Sequence, residues 1–464
     1  MYSPVKGRSG FSKLPDSDSA AAAAVRKSRA EKNKVCLKIA GLVVITVSAL
    51  VACLTAFLVS KGTRQEFHIK QFSSKMSVSP DIEHSKEVGM VARAADKFSK
   101  DLYGVIKEGE KGNVLYSPYS VATVLAMLSE GARGETLKMM RTRMYLPESE
   151  SLRRGYRDSI PALRTNENFT LDTANTGFVM KDFKLLEEFK TLLHENFHAD
   201  MSELDFADNE NAARMINDWV KSMTRDKIKD LISADSLNGL TRLVLVNAIY
   251  FKGDWQTKFD KERTIGSEFW VSEAESKEIE MMRMSEEMTF AMMDELDCMM
   301  VELPYKGERI VMQVLLPNKR TGVLELEDKL MGADLQSEFR KMQRKVKVDL
   351  SLPKFKLSHS LPLSESLQEM GMGDMFSAAR ADFSGINGDR TLFVSKVMQK
   401  VFVEVNEEGS EAAAATGVVM MMRSMGPRTM QFTVDHPFIF VIRDSLTGMA
   451  LFQGRVTDPT LTAE

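Results

Sequence analysis

Hydrophobic and polar residues follow two different periods in the chain beyond residue 87. One set of apolar positions recurs at intervals of three or four, as on one face of an α-helix: Val91, Ala95, Phe98, Leu102 and Val105. Between residues 346 and 352, apolar and polar side chains alternate, which predicts a half-buried strand. Apolar runs at 243–251, 310–317 and 438–442 are too short for buried helices and predict central strands.

Helical patterns dominate the first half of this region and strand patterns the second half. This order predicts an α+β fold with large sheets, not a repeating βαβ unit. At 464 residues and 44% hydrophobic content, the chain is long enough to bury a large core. Its formal net charge of −3 gives no reason to expect nucleic-acid binding, which requires a basic surface.

Residues 39–59 fit neither period, because they form an uninterrupted apolar run of 21 residues without a charge. A helix of that length spans about 30 Å, the thickness of the hydrocarbon core of a bilayer. Basic residues are more frequent just before the run than after it, so we expect a single-pass type II anchor. Residues 1–38 would then be a basic cytoplasmic tail, residues 60–87 an extracellular stem, and residues 88–464 an extracellular domain.

The alternative to an anchor is a cleaved export signal, with secretion of a chain that begins near residue 60. In either case the sequon Asn168-Phe169-Thr170 would be available for N-glycosylation in an extracellular glycoprotein. The three cysteines are spaced too unevenly for a disulfide framework.

A short motif, His194-Glu195-Asn196-Phe197-His198, fits the H-E-x-x-H pattern of zinc proteases. In that pattern two imidazoles one helical turn apart bind zinc, and the glutamate is the general base. The sequence that follows turns towards strand or loop character, and no third ligand is indicated. A membrane-anchored zinc protease is therefore an unfavoured alternative, and we expect no metal, no cofactor and no enzyme.

The stretch EEGSEAAAATGVVMMMRS, residues 407–424, has no periodic apolar face. If it became extended, one face of the strand would carry no charge and nothing large: Ser410, Ala412, Ala414, Thr416 and Val418. The opposite face would carry Glu411, Ala413, Ala415, Gly417 and Val419. The uncharged face could be buried under a sheet at little desolvation cost. An alanine-rich linker or a short helix is the alternative interpretation.

The segment VEVNEEGSEAAAAT resembles the hinge of the reactive-centre loop of the serpin family. The resemblance extends over nearly all of residues 88–460, because other family motifs occur in the same order. They are NVLYSPYSVATVLAMLSEGARGET (113–136), LVNAIYFKGDWQTKF (245–259), LSLPKF (350–355), FSGI (383–386) and DHPFIFVIRD with TGMALFQGRVTDP (435–459).

Membership of this family would imply three β-sheets surrounded by helices, and an exposed reactive loop at 407–430. It would also imply a suicide-substrate inhibitor of serine proteases, whose cleaved loop inserts into the main sheet. The family's hinge corresponds here to Glu407, Glu408, Gly409, Ser410, Glu411, Ala412, Ala413, Ala414, Ala415 and Thr416.

Counting the family's spacing of about sixteen residues from Glu407 places the attacked bond between Arg423 and Ser424. A trypsin-like protease carries a carboxylate at the base of its primary pocket, and a guanidinium pairs with it bidentately. The expected partner is therefore a trypsin-like serine protease, bound in a covalent complex. A non-inhibitory serpin that acts as a binding module is the alternative within the family.

The resemblance also implies roles for residues outside the loop. Ser117, Ser120 and Asn247 match the polar cluster beneath the opening sheet, which we call the shutter. Trp255 matches the tryptophan at the upper end of that sheet, the breach, and Lys354 matches the partner of Glu407. Gln399 stands where the family often has a histidine, and it can donate and accept hydrogen bonds but cannot become charged.

A second partner is suggested by the basic residues Arg153, Arg154 and Arg157, which lie near the helix that binds heparin in some serpins. Their spacing places them within one to two turns of a helix. Interleaved acidic residues favour a solvated helix face over a glycosaminoglycan site.

Overall fold

The computed structural model describes residues 85–409 and 429–461, which form an α+β fold. Its α-helices are α1 (Lys86–Gly109), α2 (Pro118–Gly131), α3 (Gly134–Arg143), α4 (Ser149–Ala162), α5 (Glu187–Phe197), α6 (Asn209–Met223), α7 (Val323–Gly332), α8 (Leu335–Met342), α9 (Ser364–Leu367) and α10 (Ser384–Asn387). The first helix begins at Lys86, inside the predicted stem, whose expected end is residue 87.

Two hydrogen-bonded sheets are formed by the strands of these residues. The strands are β1 (Val114–Tyr116), β2 (Phe169–Met180), β3 (Met201–Leu204), β4 (Leu243–Gly253), β5 (Ile265–Trp270), β6 (Ser276–Met293), β7 (Cys298–Pro304), β8 (Ile310–Pro317), β9 (Arg344–Pro353), β10 (Phe355–Pro362), β11 (Val394–Val405), β12 (Met430–Thr433), β13 (Phe438–Asp444) and β14 (Ala450–Val456). The apolar runs that predict central strands lie in β4, β8 and β13.

The smaller sheet has the order β10-β11-β4-β2-β3. Its central pair, β11 and β4, runs parallel, whereas β10 and β2 flank that pair antiparallel. The larger sheet has the order β1-β14-β13-β8-β7-β6-β9-β12, with β5 paired to β6.

The family resemblance implies three sheets, whereas the strands in the described part of the chain form two. The reason is the 18-residue strand β6. Its first part pairs with β5, its middle with β9 and its end with β7. Hydrogen bonding through β6 joins strands that the family pattern would divide between two sheets.

Helix α2 lies between the two sheets and forms the centre of the core. Every residue from Pro118 to Gly131 is buried, as expected of a helix that is apolar on all sides. It packs on β2 and β4 on one side and on β14 on the other. Ser117 caps its N-terminus by accepting a hydrogen bond from the Ser120 N–H, so the sequence SPYS both starts the helix and places two hydroxyls beneath the smaller sheet.

The predicted membrane location requires correction. Within residues 85–409 and 429–461, no helix is long and apolar enough to cross a bilayer. Helix α1 has sufficient length at 24 residues, but it is amphipathic, with charged residues along the face opposite its buried one. The prediction of a single-pass membrane location therefore has no support in the described residues and is withdrawn. The predicted tail, the span at 39–59 and the stem up to residue 84 lie outside the described residues.

A fully buried ion pair connects helix α7 to the larger sheet. The Arg455 guanidinium on β14 lies 2.7 Å from the Glu327 carboxylate on α7, and both side chains are almost completely inaccessible to solvent. The Tyr103 hydroxyl of α1 donates a second hydrogen bond to Glu327. Burial, followed by the nearby Glu327 charge, raises the pKa of Tyr103 well above its ordinary value, so it remains a donor.

Replacing Glu327 with Gln is expected to destabilise the fold by about 3 kcal/mol, because it leaves the buried Arg455 charge without its counter-ion. Urea unfolding followed by circular dichroism measures this loss. The neighbouring Asp328 pairs with Lys107 at the surface, so Asp328→Asn should cost less than about 1 kcal/mol. Equal losses for both variants would contradict a special role of the buried pair.

Candidate functional site

The site begins at the seam between β11 and β4, which run parallel in the smaller sheet. β11 and β4 are paired from Val394 and Leu243 to Phe402 and Tyr250. The predicted reactive loop follows β11 directly, because that strand ends at Val405. The seam and the start of the loop are therefore parts of one structure.

Residues 406–409 turn the chain back at the end of β11. Asn406 and Gly409 exchange backbone hydrogen bonds, from the Asn406 N–H to the Gly409 oxygen at 2.9 Å and from the Gly409 N–H to the Asn406 oxygen at 3.2 Å. The Trp255 N–H donates to the Glu408 oxygen at 2.8 Å, and the Phe259 N–H donates to the Glu407 oxygen at 3.0 Å. The last described residues of the loop are thus held against the segment that follows β4.

Gly409 occupies a position that no other residue fits. Its φ of +135° is a backbone conformation that side chains disfavour. A Cβ atom there would lie 2.0 Å from the Gly253 carbonyl oxygen and 2.7 Å from the Asp254 Cα. The turn at 406–409 therefore requires glycine both for its dihedral angle and for the close approach of two backbones.

The first hinge carboxylate is buried and held by two partners. The Thr264 hydroxyl donates to Glu407 Oε1 at 2.9 Å, and the Lys354 ammonium lies 3.3 Å from the same oxygen. Lys354 also pairs with Glu280 at 3.0 Å. Burial opposes ionisation, but these hydrogen bonds and the Lys354 charge outweigh it and hold the pKa of Glu407 below its ordinary range. The predicted contact between Lys354 and Glu407 is present.

The second hinge carboxylate, Glu408, lies between two lysines. Lys258 Nζ is 2.6 Å from one oxygen of Glu408, and Lys261 Nζ is 2.9 Å from the other. Hydrogen bonds from both ammonium groups lower the pKa of Glu408, and the same contact raises the pKa of Lys258. The sequence analysis did not identify Thr264, Lys258 or Lys261. Two adjacent acidic residues that become buried require cations, and that requirement is the signal that could have found the lysines.

Trp255 forms the apolar support of the turn. Its ring stacks on Tyr305 with centroids 4.4 Å apart, and it meets the Phe259 ring edge-on. The indole N–H donates to the Asn406 carbonyl oxygen at 2.9 Å. The structure therefore places the predicted breach tryptophan beneath the hinge and in direct contact with it.

The predicted shutter residues form a row of polar side chains across the smaller sheet. Gln399 on β11, Asn247 on β4 and Asn175 on β2 are register partners on three adjacent strands. The Gln399 amide donates to the Asn247 oxygen, and the Asn247 amide donates to the Asn175 oxygen and to the Ser120 hydroxyl. The row crosses the seam and ends on helix α2.

Ser117 connects this row to the rest of the core. Its N–H donates to the Gln399 side-chain oxygen at 3.0 Å, its carbonyl oxygen accepts from the Gln399 amide at 3.1 Å, and its hydroxyl donates to the Leu451 oxygen at 2.6 Å. Gln399 thus uses both its donor and its acceptor. Asn175 was missed by the sequence analysis, because an amide within an otherwise ordinary strand has no local signature.

The zinc motif is not assembled as a metal site. Helix α5 ends at Phe197, and His198 takes the left-handed conformation that terminates it. The two histidines therefore do not lie on one continuous helix, as zinc binding by this motif requires. Among residues 85–409 and 429–461, no group of three or more His, Cys, Asp or Glu side chains is placed to bind a metal ion.

The three arginines of α4 all have acidic partners. Arg153 pairs with the buried Glu130 at 2.5 Å, Arg154 with Glu150 at 2.8 Å, and Arg157 lies 3.5 Å from Asp158. These carboxylates compensate the charge that a glycosaminoglycan would need. The structure therefore favours the solvated helix face over the predicted glycosaminoglycan site.

Two further predicted sites remain predictions. The Asn168 side chain is half-buried, and its amide nitrogen lies against Gly307, where an added Cβ would approach it to 2.6 Å. Glycosylation of Asn168 remains a prediction. The hinge positions from Ser410 to Thr416 and the bond between Arg423 and Ser424 lie outside the described residues, so their roles also remain predictions.

The hinge contacts should weaken in acid. A carboxyl whose folded pKa lies below its unfolded value of about 4.5 stabilises the fold fully above that value and loses the contribution as pH falls through the folded pKa. Protection of the Trp255 amide from hydrogen exchange, corrected for intrinsic rates, should therefore fall between about pH 5 and about pH 3.

In the variant Glu408→Gln, protection of this amide should be lower at pH 5 and should change less on acidification. Protection in the wild-type protein that is independent of pH over this range would contradict the assignment of Glu407 and Glu408 as charged anchors.

Comparison with known proteins places this geometry in a family. The Serpin family, described as serine protease inhibitor, matches residues 93–459. Leukocyte elastase inhibitor of Xenopus tropicalis is 38% identical over 377 residues, which cover 80% of this chain and 99% of that protein. Intracellular coagulation inhibitor 2 of Tachypleus tridentatus is 35% identical over 413 residues, which cover 88% of this chain and 98% of that protein.

A solved structure gives the same result for the fold. Serpin48 of the insect Tenebrio molitor, described as a highly specific serpin, superimposes with a TM-score of 0.73 at 35% identity. The match covers 79% of this chain and 98% of Serpin48. One of these relatives is named as an intracellular inhibitor. The predicted extracellular location, whether anchored or secreted, is withdrawn.

The expectation that the chain is no enzyme needs a correction of terms. The family description is that of an inhibitor, whose chemistry takes place with a serine protease. That is not enzymatic catalysis in the usual sense. By the family match and the extent of these similarities, the chain belongs to the serpin family of serine protease inhibitors.

Proposed function

We propose that this serpin inhibits trypsin-like serine proteases as a suicide substrate, with cleavage between Arg423 and Ser424 and insertion of the loop into the smaller sheet. The observation that carries the proposal is the chain reversal at residues 406–409. It follows β11 and returns beside the segment after β4, at one end of the seam between them.

The direction of the chain suits insertion at this seam. β4 and β11 are parallel to each other, and a strand that enters from the turn would run antiparallel to both. Antiparallel strands exchange N–H and C=O hydrogen bonds on each side, so one inserted strand would replace one parallel pairing with two antiparallel ones. The gain in backbone hydrogen bonding would favour the inserted state once cleavage has freed the loop.

Side-chain chemistry supports the same outcome. The uncharged face of the predicted strand, from Ser410 through Ala412 and Ala414 to Thr416, could be buried without desolvating a charge. At the hinge, Glu407 and Glu408 are held by ammonium groups and by a hydroxyl. Such polar contacts can be exchanged for contacts with water during opening.

The chemistry of trapping follows from the protease's own mechanism. The protease serine attacks the Arg423 carbonyl carbon, the peptide bond to Ser424 breaks, and the freed amine of Ser424 takes a proton and leaves. An ester between the protease and Arg423 remains. Insertion of the loop would carry this ester, with the protease, away from the hydrolytic geometry before water attacks it.

The class of target rests on Arg423. The relative from Xenopus tropicalis is named for an elastase, and elastase pockets accept small apolar side chains. In this chain the counted position holds an arginine, and Met421 and Met422 precede it. A guanidinium favours a pocket with a carboxylate at its base, which supports the trypsin class over the elastase class.

Arg423→Ala should reduce the second-order rate constant for trypsin inhibition by at least about a hundredfold, because the charge-assisted pair in the pocket contributes about 3 kcal/mol. The matched variant Arg423→Met should lose trypsin inhibition and gain inhibition of chymotrypsin. Rates come from progress curves, and covalent complexes from denaturing gels. Undiminished trypsin complexes with Arg423→Ala would place the reactive bond elsewhere.

Ala412→Arg should convert the protein from an inhibitor into a substrate, since its charge would have to be buried beneath the sheet at a cost of several kcal/mol. Ala413→Arg is the control, because its side chain would point to the opposite, solvent face of the inserted strand. The number of inhibitor molecules cleaved per protease trapped measures the difference. If Ala412→Arg traps protease as efficiently as Ala413→Arg, the assignment of faces is wrong.

The alternative is a serpin that binds other molecules without inhibition. It predicts that wild-type protein is cleaved by trypsin without forming a covalent complex and without gaining thermal stability. The same gels, together with a thermal melt of the cleaved protein, distinguish the two functions.

A further inference from the structure

A dense group of basic residues lies at 340–347, away from the α4 arginines and from the hinge. Five of these eight positions are basic: Arg340, Lys341, Arg344, Lys345 and Lys347. We name these five residues the β9 cluster. They lie at the end of α8 and the beginning of β9, with Gln343 between the two elements.

The charges of the β9 cluster are mostly uncompensated. Arg340, Arg344 and Lys345 are exposed and Lys347 is half-buried, and none of these four forms an ion pair or hydrogen bond with another described residue. Lys341 alone is paired, with Glu338 at 2.7 Å.

Within the larger sheet, Lys347 lies opposite Glu287 on β6, but the two side chains do not form an ion pair. Lys345 lies opposite Thr289. The paired arginines of α4 show how this protein compensates basic residues elsewhere. An uncompensated cluster attracts anionic surfaces and repels itself.

The cluster is next to the point where the reactive loop rejoins the sheet. β12 begins at Met430 and pairs in parallel with β9, with Met430 opposite Val348. Val348 directly follows Lys347. The chain that follows Arg423 therefore returns to the fold one residue from the cluster.

This position is within reach of a protease docked on the loop. Met430 is the seventh residue after Arg423, so the two are at most about 25 Å apart. A globular domain of about 200 residues has a radius of gyration of about 16 Å. The two lengths are comparable, so the start of β9 is within reach of a protease bound at the reactive bond.

We propose that the β9 cluster is an exosite that contacts an acidic surface of the target protease. This inference rests on the proposed inhibitory function, and it adds a second recognition element to Arg423. Complementary charge at the rim of an interface raises the rate of encounter more than the final affinity, and the effect is screened by salt. The cluster would thus select, among trypsin-like proteases, those with an acidic surface near the active site.

The test uses two enzymes with the same primary pocket. Succinylation of its surface lysines makes trypsin more acidic. At low ionic strength, the wild-type serpin should inhibit succinylated trypsin faster than unmodified trypsin. In the triple variant Arg344→Gln, Lys345→Gln, Lys347→Gln, this preference should fall by about threefold to tenfold. The control Lys138→Gln, Arg154→Gln, Arg157→Gln removes the same charge from α3 and α4 and should keep the preference.

Several outcomes would overturn the exosite. The first is an equal preference for succinylated trypsin in both triple variants, and the second is a preference that persists undiminished in high salt. The third is salt-sensitive retention of the wild-type protein on heparin that the β9 variant loses while its inhibition rates stay unchanged. The last result would assign the cluster to a sulfated polysaccharide. Thermal melts of both variants verify folding. Absence of any covalent complex from wild-type protein would overturn the proposed function and the exosite together, whereas complexes with unaltered rate ratios would overturn the exosite alone.

Discussion

The parallel pairing of β4 with β11 is the interaction on which the rest of this structure depends. Both strands have antiparallel neighbours on their outer sides, so an antiparallel strand that entered the seam between them would find matching partners on each side. The polar row of Gln399 and Asn247 crosses the seam, and the turn at 406–409 closes its end. Helix α2 packs on β4 and carries Ser120, which accepts a hydrogen bond from Asn247 in the row.

The seam is crossed and closed by polar contacts although it is buried. Amides and hydroxyls form the row across it, and carboxylates paired with lysines hold the turn. Unpaired buried polar groups are costly, so these contacts define one closed arrangement sharply. The same groups can form equivalent hydrogen bonds with water or with an entering backbone. A seam closed by leucines would have no such exchange available.

The local sequence pattern predicts the strands but does not predict the side-chain contacts between them. The apolar runs of β4, β8 and β13 predict those strands, because burial on both faces requires continuous apolar residues. Asn175, Thr264 and Lys258 were missed, since their partners lie 72, 143 and 150 residues away in sequence. The H-E-x-x-H motif does not form a zinc site, because His198 takes a left-handed conformation and ends α5. Resemblance to the family supplied Trp255 and Lys354, which no period indicates. It also predicted three sheets, and the length of β6 made them two.

Trp255 has a consequence for how this protein can be observed. Of the three tryptophans in the chain, it alone donates to the hinge backbone, at the Asn406 oxygen, and it is buried against Tyr305. Trp219 packs against Phe178, and Trp270 lies beneath the Arg320 guanidinium. Indole emission depends on hydration and on neighbouring dipoles, so departure of the loop would alter the signal of one tryptophan far more than those of the other two. The protein thus contains its own optical reporter of the closed and open states.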